Sequence, residues 1–150
     1  LHLLYIYILI MIIIIILIFL LVLFNRNVEP YKNDTHHISV KVVSTTPKRN
    51  RGLMFRRKRL KDDEGMLFVY PKEGIYSIWM KNTYIPLDVI HFDNNNRVVG
   101  LIENAIPHSL ESRSINKKSM KFIEVNSGYI RRNNIKVMDT FMFGHIDELS

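Results

Sequence analysis

The first 24 positions, Leu1 to Phe24, are an unbroken run of Leu, Ile, Val, Phe, Tyr and Met in which His2 is the one polar side chain. A helix of that length, rising about 1.5 Å per residue, crosses the hydrocarbon core of a bilayer with a little to spare. A soluble helix needs a polar stripe, and this run has none. In lipid the backbone must satisfy its own hydrogen bonds, so even an Ile-rich run is expected to be helical. Nothing basic precedes it, it is long for a signal sequence, and Asn25-Arg26-Asn27 offers no small-residue cleavage site. The pattern therefore predicts an uncleaved transmembrane anchor over residues 1–24.

Beyond it the pattern changes to short alternations broken by polar clusters. Residues 25–37 are polar, contain one Pro, and read as a linker to a domain spanning residues 38–150. Ile38 to Val43 alternates apolar and polar, the period of a strand. Thr45-Thr46-Pro47 predicts the start of a short helix carrying Leu53 and Leu60 on one face. Residues 62–65 and 71–74 read as turns around a buried strand, Met66 to Tyr70. Ile75 to Thr83 is expected as a strand, with Tyr76, Ile78 and Met80 on one face and Trp79, Lys81 and Thr83 on the other. Ile85 to Asp93 and Arg97 to Ala105 flank Asn94-Asn95-Asn96 and predict a hairpin. Met120 to Val125, a turn at Gly128 and a last strand near Ile135 to Phe143 follow. Five to eight short strands with one short helix predict a mainly β domain, a compact antiparallel β-sandwich.

Composition changes that picture in three ways. First, 21 Ile and 13 Asn against a single Ala, Ala105, point to a biased codon supply, so isolated Ile, Asn and Lys positions carry little weight. Second, the lack of Cys excludes a disulfide scaffold, a cysteine nucleophile and thiolate zinc sites. Third, the net charge of +7 is concentrated: residues 48–61 hold Lys48, Arg49, Arg51, Arg56, Arg57, Lys58, Arg59 and Lys61 and no acid. Near a membrane such a cluster suits anionic lipid headgroups. With Phe55 its one aromatic, it is poorly suited to stacking on nucleic acid. It also suits a plain solvated surface, neutralised in part by Asp62, Asp63 and Glu64. Arg26, Lys32 and Lys41 after the apolar run favour a cytoplasmic domain by the positive-inside rule. The opposite flank, beginning at Leu1 rather than Met, leaves that rule without its counterpart.

Arg51-Gly-Leu-Met54, Gly65-Met-Leu-Phe-Val69, Trp79-Met-Lys-Asn-Thr83 and Pro86-Leu-Asp88 occur in that order. With them the chain resembles, over roughly residues 38–143, the family known as domain of unknown function 192. The resemblance implies a jelly-roll type of β-sandwich, found in small bacterial and archaeal proteins that often carry an export signal. It places the domain on the extracytoplasmic side of the membrane and implies no activity. The chain departs from the family pattern at Asn134 and Met138, which stand where Gly is usual around a final Ile-x-x-Gly-Asp turn. Met enters the left-handed region poorly, so an altered turn is expected there. The loop at 110–118 also lacks the family's usual Pro- and Tyr-containing segment.

The densest polar constellation is Trp79, Lys81, Asn82, Thr83 and Asp88. An indole plate beside an ammonium, an amide and a carboxylate suits a small anion or an envelope glycan, with Arg51 as an anion contact. This makes a binding module the leading expectation. Lys81 with Asp88 as an acid–base pair would make an enzyme, and the basic stretch 48–61 a membrane-surface protein. The same residues also suit plain packing, with Asn82 turning a bend and Lys81 paired to Asp88. His36 and His37 point apart in an extended chain, His91 alternates with core residues, and His108 has no metal-ligand spacing, so neither a metal nor a cofactor is expected. Ser109, Ser112 and Ser114 lack a nucleophile elbow, and no Gly-rich phosphate loop is present.

Overall fold

The computed structural model describes residues 2–26 and 33–149. The apolar run forms helix α1 (His2–Arg26), apolar on all sides and long enough to cross a membrane. Residues 27–32 of the expected linker lie outside the described residues.

The unit that begins at Asn33 is mainly β. In chain order it contains β1 (Thr35–Val43), α2 (Thr46–Arg51), β2 (Glu64–Gly74), β3 (Ser77–Ile78), β4 (Leu87–Phe92) and β5 (Val98–Ala105). Then come β6 (Arg113–Ser114), β7 (Ser119–Asn126), α3 (Tyr129–Arg132) and β8 (Thr140–His145). Six strands form one sheet in the order β5-β4-β7-β2-β1-β8, and β3 pairs with β6 in a small second sheet. The pairings among β5, β4, β7 and β2 are antiparallel, as expected. Strand β1 instead runs parallel to both β2 and β8. The segment from Ser44 to Asp63 is long enough for a parallel crossover, although its helix α2 is only six residues.

The sheet curls until its two edges meet. The Val98 N–H donates to the Asp139 carbonyl at 2.8 Å, Met138 N–H to Val98 at 2.9 Å, and Phe141 N–H to Asn96 at 3.0 Å. All six strands send side chains to the cluster inside this curl, among them Val40, Leu67, Phe92, Val98, Ile123 and Phe141. The other face carries a second cluster, including Phe68, Leu87, Val89 and Phe122, covered by Ile78 from β3 and by Leu53, Leu60, Met80 and Ile85 from the loops. Both faces are therefore buried, which is why every residue of β4 is buried rather than every second one.

Several elements differ from expectation for identifiable reasons. Strand β1 starts at Thr35, taking in the last three residues of the expected linker, because it pairs with β8 from Thr35 onwards. Pro71–Gly74 is not a turn but an irregular continuation of β2, which resumes pairing at Gly74 opposite Ser119. The expected strand over 75–83 is reduced to Ser77–Ile78, and Trp79 to Pro86 form a loop. Helix α2 stops at Arg51, so Leu53 and Leu60 reach the core from irregular chain; the Asn126 side chain holds Leu60 by both its N–H, at 3.1 Å, and its carbonyl, at 2.7 Å. The last strand begins at Thr140, after the short α3 and a turn.

Candidate functional site

Two loops meet over the β2–β7 part of the second face. The first follows α2. Gly52, at φ +46°, ends the helix in a conformation that L residues resist, and a Cβ there would stand 3.2 Å from the Phe68 ring. Arg49 fixes this segment: its guanidinium donates to the Ser44 and Val69 carbonyls and to Thr46 Oγ1, and stacks 4.7 Å from the centre of the Tyr70 ring. The second loop is Trp79–Thr83. Asn82 sits at φ +55°, and its carbonyl accepts the Phe55 N–H at 2.7 Å, so the two loops are joined through backbone. Trp79 is 49% exposed, with Lys81 Nζ 5.1 Å above its ring. Thr83 is buried, and its hydroxyl donates to the Lys81 carbonyl at 3.4 Å.

Between the loops and the sheet lies a cavity of about 60 Å³, lined by Arg51, Phe68, Trp79, Thr83, Phe122 and Glu124, among others. Glu124 comes from β7, in register with Val89 on β4 and Met66 on β2. It is buried, and burial pushes its carboxyl up to about 8, so the group is neutral at pH 7. Desolvation is the whole cause of that shift, with no hydrogen bond or neighbouring charge contributing to it. On the scale where about 10–15 Å³ holds one water, this volume has room for a few waters or one small anion.

Residues 28–143 match the family DUF192, described as an uncharacterised ACR. The chain belongs to the DUF192 family. A solved structure from Sinorhizobium meliloti 1021, provisionally described as a transcription regulator, is 32% identical with a TM-score of 0.65, over 67% of this chain and 78% of that one. Another, a protein of unknown function from Novosphingobium aromaticivorans DSM 12444, is 33% identical with a TM-score of 0.64, over 67% and 71%. No curated protein matches the chain.

Of the residues singled out from the sequence, the DUF192 fold brings Arg51, Trp79 and Thr83 to the cavity wall. Lys81 is exposed above Trp79, and Asn82 supplies the bend. Asp88 is elsewhere. It is 1% exposed, and its carboxylate accepts the Asn104 N–H at 2.9 Å and the Ile130 N–H at 3.1 Å. It thus braces α3 at the sheet, and the expected Lys81–Asp88 pair does not form. The acid at this site is Glu124, which the sequence reading passed over. Its signal was nonetheless present: in Phe122-Ile-Glu-Val125 both alternating sets are apolar except for one Glu, in a strand with no solvent face.

The basic stretch is also divided. Arg49 is built into the backbone around α2, Arg59 donates to the Ser127 carbonyl at 3.3 Å, and Lys61 pairs with Glu64 at 3.3 Å. Lys48, Arg51, Arg57 and Lys58 are exposed, Arg56 is half-buried, and Arg57 stacks 4.6 Å from the Tyr84 ring. His91 is fully buried on the cavity face of the sheet, its Nδ1 3.2 Å from Ser119 Oγ, and burial lowers it to about 4.

Proposed function

We propose that this domain is a binding module for a small anion or an envelope glycan, with the cavity over Glu124 as its site. The observation that carries the reading is the Glu124 carboxyl, buried and neutral at pH 7, in the wall of the cavity between the two loops. A ligand oxygen entering the cavity would give this carboxyl a hydrogen bond away from bulk water. A neutral carboxylic acid donates one hydrogen bond and accepts others, so it suits an anion oxygen or a sugar hydroxyl. The rest of the ligand would lie outside against Trp79, with Arg51 facing its negative charge. The enzyme reading has less support, since Glu124 is the one carboxylate among the described residues of the wall.

Trp79 is the single tryptophan, so its emission reports on the mouth of the cavity. Titration with inorganic phosphate, glucuronate and chitotriose should give a saturable change with at least one, and Glu124→Gln should weaken it about tenfold. The reading fails if none of the three binds, or if neither Glu124→Gln nor Arg51→Ala alters the affinity. The same proposal has α1 holding the domain at a membrane on its extracytoplasmic side. A compartment-sensitive reporter fused after Ser150 tests that, and a cytoplasmic signal would overturn the orientation.

A further inference from the structure

We propose that the loop face beside the cavity is a second interaction surface, one that docks on anionic phospholipid. Three segments build it: residues 51–58, 79–84 and 106–110. Backbone and ring contacts hold them together. Phe55 N–H donates to Asn82, Met80 N–H to Ser109 at 3.0 Å, and His108 N–H to Thr83 at 3.2 Å. Arg57 stacks on Tyr84, whose ring meets His108 edge-on at 4.7 Å.

This face exposes large apolar side chains in a way that a solvated surface does not require. Phe55 is 60% exposed, Ile106 65% and Leu110 69%, alongside the half-exposed Trp79. Phe55 is held outward with φ at +65°, a conformation costly for a bulky side chain. Isolated exposed apolar residues are ordinary; several on adjoining loops indicate a contact surface. The charge pattern selects the occupant. Arg51, Arg57, Lys58 and Lys81 are exposed among these apolar tips, and the three segments contain no acid. Aromatic and aliphatic tips ringed by Arg and Lys match the headgroup boundary of an anionic bilayer, where the tips enter and the cations meet phosphate. A helix able to cross a membrane lies in the same chain, so such a surface would be met at high effective concentration. The surface is narrower than the basic stretch as a whole, because Arg49, Arg59 and Lys61 are engaged with the protein.

The test uses the full chain in nanodiscs of phosphatidylcholine, alone or with about one-third phosphatidylglycerol. Lipids brominated on the acyl chain quench a tryptophan that reaches the headgroup boundary. Trp79 should be quenched in the anionic discs and not in the neutral ones, and high salt should reverse the quenching. The double variants Arg57→Glu/Lys58→Glu and Ile106→Ser/Leu110→Ser should each return quenching to the neutral level. All four positions lie outside the cavity wall, so both variants should keep the Trp79 response to the phosphate and sugar probes. The proposal is overturned if Trp79 is equally quenched in both discs, if it is quenched in neither, or if both variants leave the quenching intact. Failure of the cavity reading would appear as lost probe binding with lipid quenching unaffected, so the two outcomes are separable.

Discussion

Two buried titratable side chains on one face of the sheet are shifted in opposite directions, and this makes Glu124 readable in solution. Burial raises Glu124 from 4.5 to about 8 and lowers His91 from 6.5 to about 4. As pH rises above 4.5 the unfolded chain releases the glutamic proton while the folded chain keeps it, so stability falls until about 8, by about 1.4 kcal/mol per unit. His91 acts in the opposite sense: the unfolded chain takes up a proton below 6.5 and the folded chain does not, so stability rises from about 4 to 6.5. The two contributions offset each other below 6.5, and above it Glu124 acts alone. Urea unfolding between pH 6.5 and 8 should show stability falling, and Glu124→Gln should flatten that slope. An unchanged slope in Glu124→Gln would remove the case for a neutral acid at the site. At this scale the sequence was legible where chemistry follows from the residue itself. Trp79, Thr83 and Arg51, singled out by type and motif, stand together at the cavity wall, whereas Asp88 lies apart from them, because alternation in β4 gives no sign of which buried face is which.

Elements with a solvent face or a hairpin turn were legible, and those shaped by distant partners were not. The β4–β5 hairpin follows from its alternation and its Asn turn. The strand expected over 75–83 fails because only Ser77 and Ile78 find a partner, in β6, and the following backbone donates instead to loop carbonyls. The final turn is the clearest case of fold overriding local preference. Asn134 and Met138 adopt φ of +50° and +82°, so the turn keeps its left-handed positions although Gly is absent from them. Met138 is 42% exposed, and the bond the turn makes there, to the Val98 carbonyl, comes from its backbone N–H. Met138→Gly should therefore stabilise the protein by about 1 kcal/mol, less whatever the freer unfolded chain gives back. Urea or thermal unfolding checks it, and a loss of stability would mean that the Met side chain contributes packing.

At the scale of the whole molecule, the feature that no local pattern announces is the meeting of the sheet's two edges. Alternation gives strands and, at best, neighbours along the chain; it does not bring residue 98 to residue 139. The closure depends on Asp139, whose buried carboxylate accepts the Asp34 N–H at 3.1 Å, the Lys136 N–H at 2.8 Å and His36 Nε2 at 3.0 Å. Burial alone would raise this carboxyl, but these hydrogen bonds outweigh it and hold it below its usual range. Asp139 thereby ties the start of β1 and the turn before β8 to the edge of β5. Asp139→Asn keeps one acceptor oxygen but loses the charge and replaces the other with a donor, and should cost about 2 kcal/mol. The loss should be uneven. Strands β4 and β7 lie inside the sheet between two partners, while β8 and β5 depend on the closure. Native-state hydrogen exchange should therefore find β8 and the start of β5 opening well before β4 and β7 in the variant, as a unit separate from global unfolding. If amides in all four strands lose protection by the same free energy, the curled sheet unfolds as one body and the closure is part of its single cooperative core.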